Sequence, residues 1–187
     1  MSKPMPARAV KLIAGLLFSE REILSAALAT LTGEYGITDF ISAARPFLYT
    51  DYYCPEMGSK LERIFVSFAD LIQPESLPSI KLRTNEIETA FAQSGGRRIN
   101  IDPGYISPAH LILATGKGYA HRPYLRDGIY ADLTLIYSEK SFQALPWTYP
   151  DYGEKESREM FKRIRASFIE QFKKPLFGSP EHNEGIT

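Results

Sequence analysis

The chain has 187 residues, 44% hydrophobic and 12% aromatic, which is enough apolar mass for one well-packed domain. Lysine plus arginine equals aspartate plus glutamate at 22 each, so no global field gathers a polyanion and a nucleic-acid role would need a local patch. The single cysteine, Cys54, excludes an intramolecular disulfide framework and a multi-cysteine metal cage, and fits a reducing compartment.

At the N-terminus, Lys3, Arg8 and Lys11 precede an apolar run from Leu12 to Phe18. The Ser19-Glu20-Arg21-Glu22 segment then puts charges where a signal-peptide cleavage region belongs. No stretch approaches the roughly 20 apolar residues that span a bilayer. The expectation is a soluble cytoplasmic protein with no membrane partner. Val10 to Phe18 is almost continuously apolar, as a central strand covered on both faces would be. Ser19 and Glu22 form a capping-box pattern, and Ile23, Leu24, Ala27, Leu28 and Leu31 follow at helical spacing until Gly33 and Gly36.

A second strand is expected within Ile37 to Phe47 and a third within Leu61 to Ala69, where Ile64, Val66 and Phe68 alternate with Arg63 and Ser67. Between them, Tyr49 to Ser59 carries three tyrosines, Pro55 and Gly58, and reads as an ordered loop. Pro78 opens a second helix, expected over Ser79 to Gln93 and closed by Gly95-Gly96. In the strand that follows, Ile99 and Ile101 point to one face while Arg98, Asn100 and Asp102 point to the other, and Pro103-Gly104 is expected to end it in a turn. Apolar Leu111 to Ala114, a strand at Ile129 to Tyr137 and a short one at Ser141 to Leu145 come next. A proline-rich joint, Leu145 to Pro150, leads to a C-terminal helix marked by Asp151 and Glu154 as cap and N3 acid and by a Phe161, Ile164, Phe168, Phe172 stripe.

This order predicts an α+β fold: a ferredoxin-like βαββαβ core with extra antiparallel strands and a C-terminal helix. Residues 1–174 are expected to form the single domain and 175–187 a flexible tail. Five segments together resemble an uncharacterised bacterial family of single-domain proteins: Lys81-Leu82-Arg83-Thr84-Asn85, Asn100-Ile101-Asp102-Pro103-Gly104-Tyr105, His121-Arg122-Pro123-Tyr124, Gly128-Ile129-Tyr130-Ala131-Asp132 and Trp147-Thr148-Tyr149-Pro150-Asp151-Tyr152. The likeness covers nearly the whole chain, and it implies a fold unit without assigning catalytic roles.

Standard signatures are absent. Gly116-Lys117 would need a glycine where Leu111 stands, and a serine or threonine where Gly118 stands, to make a phosphate-binding P-loop. The candidates are constellations. Strand spacing puts Tyr130, Asp132 and Thr134 on one face, a second polar row like that of Arg98, Asn100 and Asp102. The rows either converge on a cleft or form wet faces of antiparallel strands, with Arg98 paired to Asp102 or Asp132. Lys81, Asn85 and Glu88 share a helical stripe that could hold a phosphate or simply face solvent. The Gly116 to Arg122 loop offers Lys117, His121 and Arg122 as cationic donors for an anion.

These groups support two readings. The first is a binding module for an anionic small molecule, such as a nucleotide or phosphorylated metabolite, held by Lys81, Asn85, Arg98, Asn100, Lys117, Arg122 and Tyr130. The second is an enzyme acting on such a ligand, with His121 or Asp102 as general base and Asp132 orienting it. His121, Asp102 and Asp132 have chemistry suited to a divalent ion, but no spacing enforces a site and no metal is assigned. The basic stripe Lys155, Arg158, Lys162 and Arg165 reads more simply as a solvated helix face than as a nucleic-acid patch. Trp147, Tyr149 and Tyr152 either pin the proline-rich joint to the core or stack a base. The sequence names no cofactor and no oligomeric state.

Overall fold

The structure is a computed structural model and describes residues 3–93 and 95–173. The tail expected at 175–187 lies outside the described residues. In chain order the elements are β1 (Val10–Phe18), α1 (Arg21–Tyr35), β2 (Thr38–Ile41), β3 (Arg45–Pro46), α2 (Cys54–Met57), β4 (Glu62–Ile72) and α3 (Leu77–Phe91). Then come β5 (Ile99–Ile106), β6 (His110–Thr115), β7 (Tyr124–Arg126), β8 (Ile129–Ser138), β9 (Ser141–Ala144), α4 (Pro150–Gly153) and α5 (Lys155–Lys173).

The strands form one antiparallel sheet in the order β2-β4-β1-β5-β6-β8-β7, with β3 also on β4 and β9 also on β8. β1 is buried at every position, as its unbroken apolar run requires of a strand paired on both sides. Alternation then assigns its faces. Leu12, Ala14, Leu16 and Phe18 pack with Leu24, Ala27 and Leu31 of α1 and with Ile80 and Ile87 of α3. On the other face, Ile13, Phe65, Ile106, Leu113 and Leu135 receive Met160, Phe161, Ile164 and Phe168 of α5. Lys11 interrupts the apolar run yet is fully buried, because Asp39, Gln171 and the Ala69 carbonyl accept its ammonium hydrogens.

Several local expectations change. Glu20, with no side-chain cap bond, stands at the N-terminus of α1 in place of Ser19, and it turns instead to Arg98. Gly33 stays helical, and Gly36, at φ 85°, ends the helix. The expected Asp151 cap for the last helix does not form: Pro150 starts the short turn α4, and Asp151 points inward to Arg63. Phe161, Ile164 and Phe168 are buried, whereas Phe172 is exposed.

The largest correction concerns Pro103-Gly104, which lies inside β5 rather than in a turn. β6 pairs with β5 only at Gly104, Tyr105 and Ile106, so Pro103 has a strand partner on one side and the N–H it lacks is not required on the other. Gly104 is needed where β6 arrives, since a Cβ there would fall on the Ile112 carbonyl and 2.7 Å from Leu113 Cδ2. Over residues 99–103 the two strands part. Helix α3 fills the missing pairing: Lys81 Nζ donates to the Ile101 carbonyl at 2.8 Å, and the Ile101 N–H donates to Glu88 Oε1 at 2.7 Å. Among the described residues, no helix is long and apolar enough to cross a membrane.

Candidate functional site

Where β5 and β6 part, a cavity of about 730 Å³ opens, lined from both faces of the sheet. Lys81, Asn85 and Glu88 of α3 line it from one side. Asn100 and Asp102 of β5, Thr115 to Lys117 at the end of β6, and Asp132 of β8 form its walls. Tyr49, Tyr52 and Tyr53, before α2, and Tyr149 and Tyr152, around α4, add an aromatic rim. The volume falls in the usual range for small-molecule sites.

Arg63 is the hub of the cavity, with its side chain 7% exposed. Its Nη1 donates to Asp102 Oδ2 at 3.0 Å, and its Nε lies 3.2 Å from Asp151 Oδ2. The rings of Phe47 and Phe65 approach its guanidinium carbon at 5.2 and 6.0 Å. Asn100 Nδ2 donates to the same Asp102 oxygen at 2.9 Å. Burial would raise the Asp102 carboxyl, but the charges of Arg63 and Lys81, with hydrogen bonds from Arg63 and Asn100, hold it below its ordinary value. Burial raises the Asp151 carboxyl; Arg63 opposes that shift and Asp102 adds to it. The hydroxyl of Tyr152 is pushed well above its ordinary value, first by burial. Arg63 Nε, Asp151 Oδ2 and Tyr152 Oη are buried and have no hydrogen-bond partner among the described residues. Such groups are costly in a finished core and common where a site is prepared for chemistry.

A second cluster stands behind the opposite wall. Asp132 is 2% exposed, and its Oδ2 accepts from Arg122 Nε at 2.8 Å. Arg122 also donates to Tyr149 Oη at 2.8 Å and to the Lys117 carbonyl at 3.2 Å. His121 Nε2 lies 3.7 Å from the same Asp132 oxygen, and its ring stacks on Trp147 at 4.8 Å and 15°.

Of the residues singled out from the sequence, Lys81, Asn85, Asn100, Asp102, Lys117 and Asp132 line the one cavity. The rows are therefore not wet strand faces: Asn100, Asp132 and Thr134 are buried. Lys81 and Glu88 are buried too, because β5 needs them at Ile101. Arg122 and His121 are set behind Asp132 and do not line the cavity. Arg98 does not join its row; it precedes β5 and pairs with Glu20. Tyr130 packs edge-on against Tyr124 at 5.2 Å. The basic stripe of α5 is partly committed within the chain, Arg158 to the Gly153 and Phe142 carbonyls and Arg165 to that of Pro108, above the Tyr137 ring.

Arg63, Asp151 and the tyrosine rim were not singled out as one site. The available signal is an arginine inside a strand of apolar neighbours, which demands a buried acid elsewhere in the chain. Among the cavity's cations, Arg63 has Asp102 and Asp151, Lys81 has Glu88 at 3.9 Å, and Arg97 is held by Glu56 at 2.8 and 2.9 Å. Those Arg97 hydrogen bonds draw the Glu56 carboxyl down to about 2. Lys117 is exposed and has no carboxylate partner among the described residues, and its ammonium lies 4.7 Å from the centre of the Tyr52 ring. Among the described residues, no three His, Cys, Asp or Glu side chains are placed to hold a metal ion.

Residues 8–168 match a family described as a domain of unknown function, DUF4416. No curated protein and no solved structure matches the chain.

Proposed function

We propose that this chain, which belongs to the DUF4416 family, is a single-domain cytoplasmic protein that binds a phosphorylated small molecule in the cavity between β5 and β6. The observation that carries this reading is Lys117, the exposed cavity cation without an acidic partner among the described residues, at the edge of an aromatic rim. A phosphate would pair with this exposed ammonium, and Tyr52, Tyr53 and Tyr149 line the same cavity beside a flat or partly apolar body. We also read β1, α1, β2, β4, α3 and β5 as the ferredoxin-like core; the neighbour order β2-β4-β1-β5, with a helix after β1 and after β4, supports it.

Thermal shift followed by calorimetry over nucleotides and sugar phosphates tests the function, since a specific binder raises the melting temperature. Lys117→Ala is expected to weaken the bound compound about tenfold or more, the order of a hydrogen bond to a charged group, while leaving the apoprotein's melting temperature unchanged. Equal affinity in Lys117→Ala sinks the reading.

A second reading, acid–base catalysis on the same ligand, draws support from two carboxyls whose environments push them apart: Asp102 is held below its ordinary value while burial raises Asp151 above its own. Asp102 then takes the general-base role in preference to His121, which does not line the cavity. If turnover of a bound compound is unchanged in Asp102→Asn, that assignment fails.

A further inference from the structure

Asp102 carries an oxygen that the fold leaves unused. Its Oδ2 is taken twice, by Arg63 Nη1 at 3.0 Å and Asn100 Nδ2 at 2.9 Å. Its Oδ1 has no hydrogen-bond partner among the described residues and is not among the sealed polar atoms. The side chain is 27% exposed, and the residue lines the cavity. An ionised carboxylate only accepts hydrogen bonds, so a ligand that displaces water from Oδ1 must donate one in return.

The surroundings decide what kind of donor fits. A ligand ammonium would meet the charges of Arg63 and Lys81, both of which reach Asp102. A neutral O–H donor meets no such repulsion. The nearby wall is also suited to groups that both give and accept: the Asn85 side chain has no hydrogen-bond partner among the described residues, and the Thr115 hydroxyl accepts from the Lys117 N–H but keeps its own hydrogen to donate. Tyr53 adds a ring and a hydroxyl.

We infer that Asp102 reads hydroxyl groups on the ligand, and that the cavity takes a phosphorylated sugar, either free or as the ribose of a nucleotide. This inference rests on the proposal that a phosphorylated molecule occupies the cavity, with its phosphate toward Lys117. The phosphate gives attachment at the rim, and the hydroxyls give selection at the wall.

Calorimetry on the full-length protein tests it with ribose 5-phosphate, AMP, their 2-deoxyribose 5-phosphate and 2′,3′-dideoxy counterparts, and inorganic phosphate. The stronger of the first two tells a free sugar phosphate from a nucleotide. Removing hydroxyls from that compound is expected to weaken binding about tenfold to a hundredfold in the natural protein, and much less in Asp102→Asn. The ligand comparison needs no variant, so a folding defect in Asp102→Asn does not hide the answer. If the deoxy compounds, or inorganic phosphate, bind as tightly as their parents, the hydroxyl reading is overturned while phosphate binding stands. If no phosphorylated compound binds, both fail.

Discussion

Gly15 lies directly beneath the hydroxyl of Tyr152: a Cβ on Gly15 would stand 2.5 Å from that oxygen and 2.9 Å from Arg63 Nη1. In β1 this glycine is paired with Phe65 on one side and Asp102 on the other, at the centre of the sheet. Its missing side chain is what lets the tyrosine and the arginine reach the strand. Gly15→Ala is expected to destabilise the protein by about 1–3 kcal/mol, the usual cost of overpacking a full core. Urea unfolding that gives an unchanged midpoint would show that Tyr152 does not occupy this place.

Arg63 is expected to be the most sensitive residue of the site. Arg63→Met leaves Asp102 and Asp151 without their shared cation, and breaking a buried pair from one side costs about 3–5 kcal/mol. Adding Asp102→Asn and Asp151→Asn removes the stranded charges and should recover a good part of the loss. A triple variant no more stable than Arg63→Met alone contradicts the pairing.

Glu56 provides a pH test. Its carboxyl is drawn to about 2 from an ordinary 4.5 by Arg97, so the folded protein binds that proton more weakly than the unfolded chain does. The clamp's contribution is therefore complete above about pH 4.5 and is lost as pH falls toward 2. A carbon-detected titration of Glu56 should show a midpoint near 2. In Arg97→Gln the midpoint should return toward 4.5, and a natural-protein midpoint already there refutes the clamp.

The Ile101 amide should exchange its hydrogen slowly, although no strand of β6 covers it, because Glu88 accepts it. Glu88→Ala removes that acceptor, and about 1–3 kcal/mol of stability is expected to go with it. Exchange at Ile101 should accelerate more than at Gly104 and Ile106, which lie within the ladder to β6. Equal acceleration at all three would point to global loosening instead.

Periodicity made the elements legible. An unbroken apolar run outlines β1, alternation outlines β8, helical spacing outlines α1 and α5, and Pro78 marks the start of α3. Pro103-Gly104 misleads because a break signal in the sequence cannot reveal that one neighbouring strand stops short of it. The site was legible in pieces for the same reason. Asn100, Asp102 and Asp132 stand out as polar residues in apolar strands, whereas Arg63 looked like ordinary alternation and Asp151 like a helix cap. Pairing Asp151 with Arg63 depends on a contact 88 positions apart, which no local pattern encodes. Arg98 shows the converse: it shares the parity of the polar row, but the chain has not yet entered the sheet and Glu20 takes it away.

The short ladder between β5 and β6 has a mechanical meaning. Among the described residues, three residue pairs, Gly104–Leu113, Tyr105–Ile112 and Ile106–Leu111, with the Ser107 N–H donating to the His110 carbonyl beside them, join the leaf that contains β1 to the leaf that contains β8. The sheet is thus bound like a book with a very short spine. Beyond that spine the leaves are joined by side chains, α5 packing Phe161 and Phe168 with Ile13 and Phe65 of one leaf and with Leu135 and Phe142 of the other, so helix packing rather than a strand ladder sets the width of the gap.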